Sequence, residues 1–153
     1  MTEKTEETEM KDGFFSMRWL LAKVKRYPLS CLLTAAIWVA CLMPVPETPL
    51  SDVSFFDKWV HMAMYFVLVS LIWWEYMRCH RPCANGQKTT SLRKLLLGGW
   101  LAPLLMGGLI ELAQAYLTAG NRSGEWLDFL ANGTGATLGA LTCMLLAKCR
   151  ARV

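Results

Sequence analysis

Residues 110–135 read IELAQAYLTAGNRSGEWLDFLANGTG. Two apolar stretches flank a polar turn, yet the first holds Glu111 and Gln114 and the second holds Asp128 and Asn132. The spacings i, i+3 and i, i+4 put each pair on one face of a helix. Moving outward, the apolar character continues on both sides of the quoted stretch. It gives one segment at about 95–118 and another at about 127–147. A helix rises about 1.5 Å per residue and a hydrocarbon core is about 30 Å thick, so both segments are long enough to cross a bilayer. The fold turns on this reading: two membrane helices joined by a short outer turn, with polar groups below its rim.

The rest of the chain extends the pattern. Of its 153 residues 54% are hydrophobic, seven are Trp, and the mean hydropathy is +0.30, values that favour a membrane protein over a soluble domain of this size. Two further apolar segments lie at about 28–45 and 58–77. Pro28 suits a helix start, and Pro44 with Pro46 suits a stop. The first segment reads as a retained helix: a long acidic stretch precedes it, and no small-residue cleavage site follows. The expected fold is therefore all-α, a polytopic bundle of four transmembrane helices. An amphipathic interfacial helix precedes them, in which Phe14, Met17, Leu21 and Val24 recur at helical spacing beside Arg18 and Lys25. Residues 1–13 read as a disordered acidic tail and 14–153 as one transmembrane domain.

Basic residues set the expected orientation under the positive-inside rule. Lys4, Lys11, Arg18, Lys23, Lys25 and Arg26 precede the first segment, Arg78, Arg81, Lys88, Arg93 and Lys94 surround the second loop, and Lys148, Arg150 and Arg152 end the chain. Lys58 and Arg122 remain for the opposite side, where Glu47, Asp52, Asp57, Glu111, Glu125 and Asp128 make the layer net acidic. Both termini are thus expected in the cytoplasm. The net charge of +4 is small and spread along one membrane face, which argues against nucleic acid as a partner.

No structural disulfide is expected, because Cys31, Cys41 and Cys143 fall within spans and Cys79, Cys83 and Cys149 on the reducing side. The CHRPC stretch at 79–83 lacks a second ligand pair, so zinc is not expected there. Gly135 and Gly139, with Ala131 four residues earlier, form a small-residue stripe suited to close helix packing. Pro103, Gly107 and Gly108 interrupt the third span, where a bend opening a cavity is a secondary reading.

The polar residues converge on one level. Asp57, His61 and Tyr65 follow at i, i+4 and i+8 down the outer half of the second span, with Lys58 beside them. Glu111 lies about 10 Å below the outer end of the third span. Arg122 and Ser123 sit in the turn above. A charge at a helix centre costs about 2.5–3.5 kcal/mol on insertion scales, so these groups should face one another or a wet cavity. Interhelical glue is the alternative, but such hydrogen bonds are worth only about 0.6 kcal/mol each, too little to offset burying three carboxylates and a histidine.

The ordered elements DKWVHMAMY (57–65), ELAQ (111–114) and NRSGEWLDFLANGTGATLG (121–139) resemble the VanZ-like family of small bacterial membrane proteins over about residues 57–139. The resemblance implies a polytopic protein of the bacterial cytoplasmic membrane, in a family named for a member associated with glycopeptide, especially teicoplanin, resistance. The acidic tail and the CHRPC loop lie outside it.

Three functions fit these residues. In the first, an outer-leaflet pocket of Asp57, Lys58, His61, Tyr65, Glu111, Gln114, Arg122, Ser123, Asp128 and Asn132 binds a membrane lipid, a lipid-linked envelope precursor or an amphiphilic lipoglycopeptide. In the second, an intramembrane enzyme uses His61 as base, oriented by Asp57, with Glu111 or Asp128 as acid; a divalent metal on His61, Glu111 and Asp128 is a variant. The third is an assembly factor with a polar interhelical lock. No nucleophile elbow, phosphate loop or H-E-x-x-H is present, and neither a cofactor nor a resident metal is expected.

Overall fold

The computed structural model describes residues 17–18, 21–43, 56–80, 91–117 and 126–150, and these are helical almost throughout, with no strand among them. The principal elements are α1 (Pro28–Leu42), α2 (Phe56–Cys79), α3 (Leu92–Leu96), a π-helical turn (Leu97–Leu101), α4 (Ala102–Leu117) and α5 (Trp126–Arg150). The acidic tail, Phe14 and the loop at 81–90 lie outside the described residues.

Three helical runs are long and apolar enough to cross a membrane: Phe56–Cys79, Leu92–Tyr116 and Trp126–Cys149. Their outer faces carry the exposed apolar rows that a bilayer would cover, Leu105, Leu109 and Leu112 on α4 and Leu138, Leu141 and Leu145 on α5. Three threonine hydroxyls on the exposed face of α5 are satisfied within their own helix, as a lipid-facing surface requires. Thr134, Thr137 and Thr142 each donate to the carbonyl four residues back, at 2.7–2.8 Å.

The first apolar segment forms a shorter helix than its sequence suggests. Pro28 occupies its first turn as expected, but α1 has 15 residues, about 22 Å of rise, and its chain turns extended at Met43 before Pro44 is reached. Before it, Met17, Leu21 and Val24 are helical and exposed.

Small residues fix the packing. A Cβ on Gly139 would stand 2.7 Å from the Phe66 carbonyl oxygen, and one on Gly135 would overlap the Met62 carbonyl, so these glycines let α5 lie directly on the α2 backbone. The core is built around this seam, from Tyr65, Leu68, Val69 and Trp73 on α2 and Ala136, Ala140 and Cys143 on α5, closed by Ile37 and Cys41 of α1 and Ile110 of α4.

The irregularity in the third span falls earlier than the Gly107–Gly108 pair. The helix widens over Leu97–Leu101, where the Ala102 N–H reaches the Leu97 carbonyl five residues back. Pro103 is the physical reason: it has no N–H for the Gly99 carbonyl four residues before it, and its ring would crowd that oxygen in a regular helix. From Ala102 onward the α-helix resumes through Gly107 and Gly108.

Candidate functional site

α2, α4 and α5 bring most of the sequence-predicted residues to one end of the bundle. Lys58 Nζ is 3.0 Å from Asp128 Oδ1, an ion pair between α2 and α5 in which the carboxylate is buried and the ammonium is about one-fifth exposed. One turn further into α2, His61 is 2% exposed. Its Nδ1 lies 3.2 Å from Asn132 Oδ1 and 4.0 Å from Glu111 Oε1, while its Nε2 lies 3.7 Å from Asp57 Oδ1. Asp57 is the accessible member, with about half of its side chain exposed. The cluster is therefore graded, from an open rim at Asp57 and Lys58 to a closed floor at His61, Glu111 and Asn132.

The hydrogen bond to Asn132 assigns the imidazole. An amide oxygen accepts only, so Nδ1 is the donor, and in the neutral ring Nε2 then carries the lone pair that faces Asp57. A proton passing between the rim carboxylate and Nε2 has less than 4 Å to travel.

Gly107 forms the floor between helices. A Cβ there would stand 3.0 Å from Tyr65 Oη and 3.1 Å from Asn132 Nδ2, two buried atoms that find no hydrogen-bond partner among the described residues. Gln114 shares a helix face with Glu111 but donates elsewhere, from Nε2 to the Cys41 carbonyl at 2.8 Å, which ties α4 to the end of α1. Arg122 and Ser123 lie outside the described residues.

Asp57, His61 and Asp128 each offer a ligand atom, and all three atoms lie within 4.8 Å of one another. The variant trio read from the sequence is His61, Glu111 and Asp128; in this group Asp57 stands with His61 and Asp128. The donor set suits a divalent cation chemically. The Lys58 ammonium, however, already supplies a positive charge at Asp128 and would repel such an ion, so the fit is poor.

The opposite end of α2 holds a polar assembly that sequence reading missed. Glu75 is 4% exposed and accepts from Leu29 N–H (3.0 Å), Ser30 N–H (3.1 Å) and Ser30 Oγ–H (2.5 Å), so it caps the start of α1 from another helix. The signal for it was a lone carboxylate in an apolar span facing a Pro-Leu-Ser helix start, which no local spacing rule connects. Nearby, His80 stacks on Tyr76 at 4.1 Å, donates from Nδ1 to the Tyr76 carbonyl at 2.9 Å, and accepts at Nε2 from Arg26 at 3.1 Å. Cys79 Sγ–H is 3.5 Å from the Arg26 carbonyl. None of Cys31, Cys41, Cys79, Cys143 or Cys149 is in a disulfide. Searched against protein-family models, curated proteins and solved structures, the chain matches none of them.

Proposed function

We propose that this is a four-span protein of the VanZ-like type in a bacterial cytoplasmic membrane, both termini inside, whose polar cluster receives the head of an envelope lipid or amphiphile from the outer leaflet. The observation that carries the reading is the graded cluster. Asp57 and Lys58 stand where a headgroup would arrive, and behind them His61 sits between Asp57 on one nitrogen and Asn132 and Glu111 on the other. Lys58 suits phosphate or carboxylate, while Asp57 and Asp128 suit amines and hydroxyls. The close packing at Gly107 limits the deep part of the site to small groups or protons, so the apolar portion of a ligand stays in the surrounding lipid. On this reading α1 crosses by tilting or with help from the residues after Met43, and the Met17–Leu21–Val24 face rests in the interface.

The test is teicoplanin tolerance of a susceptible bacterium expressing the chain, scored beside the amount and melting temperature of the protein in its membranes. The wild-type chain is expected to raise tolerance, and His61→Ala or Asp57→Asn to abolish the rise with normal protein levels. A wild-type chain with no effect on tolerance overturns the glycopeptide link. Variants that lose function only in proportion to folded protein overturn the site.

A second reading, the interhelical lock, has its own support in the buried side of the Lys58–Asp128 pair and in the tight floor at Gly107. It differs in one consequence: a lock tolerates apolar substitutes that keep the helices packed, whereas a headgroup site does not.

A further inference from the structure

Helix length overstates the apolar surface that this bundle offers to lipid. α2 has 24 residues, but its exposed apolar row runs from Trp59 to Trp74, about 22 Å of rise, with Lys58 just above it and Arg78 just below. Along α3 and α4 the row runs from Leu96 to Leu112, and on α5 from Leu130 to Leu146, each about 24 Å. Lys94 and Lys148 bound these two rows at one end, Tyr116 and Trp126 at the other. Leu92 is exposed as well, but it stands beyond Arg93 and Lys94. α1, whose 15 residues rise about 22 Å, matches the other rows.

The edges carry side chains that favour the headgroup level. Trp59, Tyr116 and Trp126 are exposed at one end of the three helices that share the polar cluster, and such amphipathic rings sit at membrane–water interfaces. At the other edge the Arg78 guanidinium lies over the Trp74 ring, 5.3 Å from its centroid, so its charge stays at the end of the row.

We propose that the bundle fits a hydrocarbon layer of about 22–24 Å, as short-chain lipids form, and thins an ordinary bilayer of about 30 Å where it sits. Helix tilt lowers the height that each row covers, so it enlarges the mismatch. The consequence falls on the polar cluster. Glu111 and Asn132 lie one and two residues from the row ends Leu112 and Leu130, and His61 lies two from Trp59. Thinning brings headgroups down to these side chains, which an ordinary layer would hold inside hydrocarbon. The inference rests on the bundle spanning a membrane and not on which ligand the cluster takes.

The experiment reconstitutes the full chain into phosphatidylcholine vesicles with myristoleoyl, oleoyl or erucoyl chains and measures its melting temperature in each. The shortest chains are expected to give the highest value, about 5 °C above oleoyl. Arg93→Leu, Lys94→Leu and Lys148→Leu together lengthen the rows on α4 and α5 and should narrow that difference. In oleoyl vesicles, a nitroxide carried by Leu96→Cys or Leu112→Cys, in a chain lacking its other cysteines, should be reached by a water-soluble relaxing agent, and one on Leu105→Cys should be shielded. A maximum in oleoyl or erucoyl chains overturns the proposal, as do equal values in all three, the result of faces covered by a second copy. So does a difference that the triple substitution leaves unchanged, or end labels as shielded as the one at Leu105→Cys. A chain that enters none of the vesicles overturns the membrane reading as well.

Discussion

At the scale of single residues, the charged groups of this chain divide between two ends of α2. Among the described residues, Asp128 has one cation within ion-pair distance at the rim, Lys58, and it lies almost wholly buried. Asp128→Asn leaves that ammonium facing a neutral amide in a poorly hydrated place. The expected cost is about 2–3 kcal/mol, less than for a fully buried pair because Lys58 keeps some contact with solvent. A lower melting temperature in detergent checks it. At the far end, Glu75→Gln keeps the shape but removes the charge from three accepted hydrogen bonds, and should cost about 1–2 kcal/mol. Thermal unfolding read on α1, with a probe at its exposed Leu32, should show that helix loosening first. The two carboxylates differ in legibility. Asp128 stands one helical turn from Asn132 and announces a polar face; Glu75 is paired with a helix start 45 residues away, a relation that exists only once α1 and α2 are packed.

At the scale of elements, the seam between α2 and α5 depends on two glycines. Gly135→Ala places a methyl group inside the Met62 carbonyl and forces the helices apart, so a loss of at least about 3 kcal/mol is expected. Gly133→Ala, two residues earlier on the same helix, meets only Leu104 at an ordinary 3.4 Å and should be neutral or stabilising by about 0.5–1 kcal/mol, the usual gain from replacing a helical glycine. Comparing the two melting temperatures separates packing from propensity. The small-residue stripe was readable because four-residue spacing is a local property of one helix. The π turn was not: sequence marks Pro103, Gly107 and Gly108 alike, and the widening settles before Pro103 because the missing N–H and the crowded Gly99 carbonyl both lie on that side. The length of α1 was legible only at its Pro28 end. Apolar residues continue to Val45, but the backbone leaves the helix at Met43, ahead of the prolines that constrain it.

At the scale of the whole molecule, orientation rests on the Lys and Arg distribution, and the exposed thiols can report it. Cys79 and Cys149 are exposed near the ends of α2 and α5 that should both face the cytoplasm. In a chain retaining only one of them, a membrane-impermeant maleimide should label each residue after permeabilisation and not in intact cells. The convergence of α2, α4 and α5 on one polar level was visible in the sequence, since depth follows from counting residues along each helix. Which side chains would touch was not. Counting puts Gln114 beside Glu111, but only packing shows its amide turned to the Cys41 carbonyl and Asp57, rather than Glu111, completing the triangle with His61 and Asp128.

Whether the rim of this bundle is a binding place or a clasp is tested most directly by replacing both members of its ion pair with apolar residues, Lys58→Met together with Asp128→Leu, and measuring teicoplanin tolerance at matched levels of folded membrane protein. Replacing both members of this largely buried pair by apolar side chains of similar size leaves no unpaired carboxylate or ammonium between α2 and α5 and is expected to leave the fold intact. The headgroup account then expects a melting temperature near that of the wild type and a complete loss of tolerance. Tolerance preserved in that doubly substituted chain would contradict it.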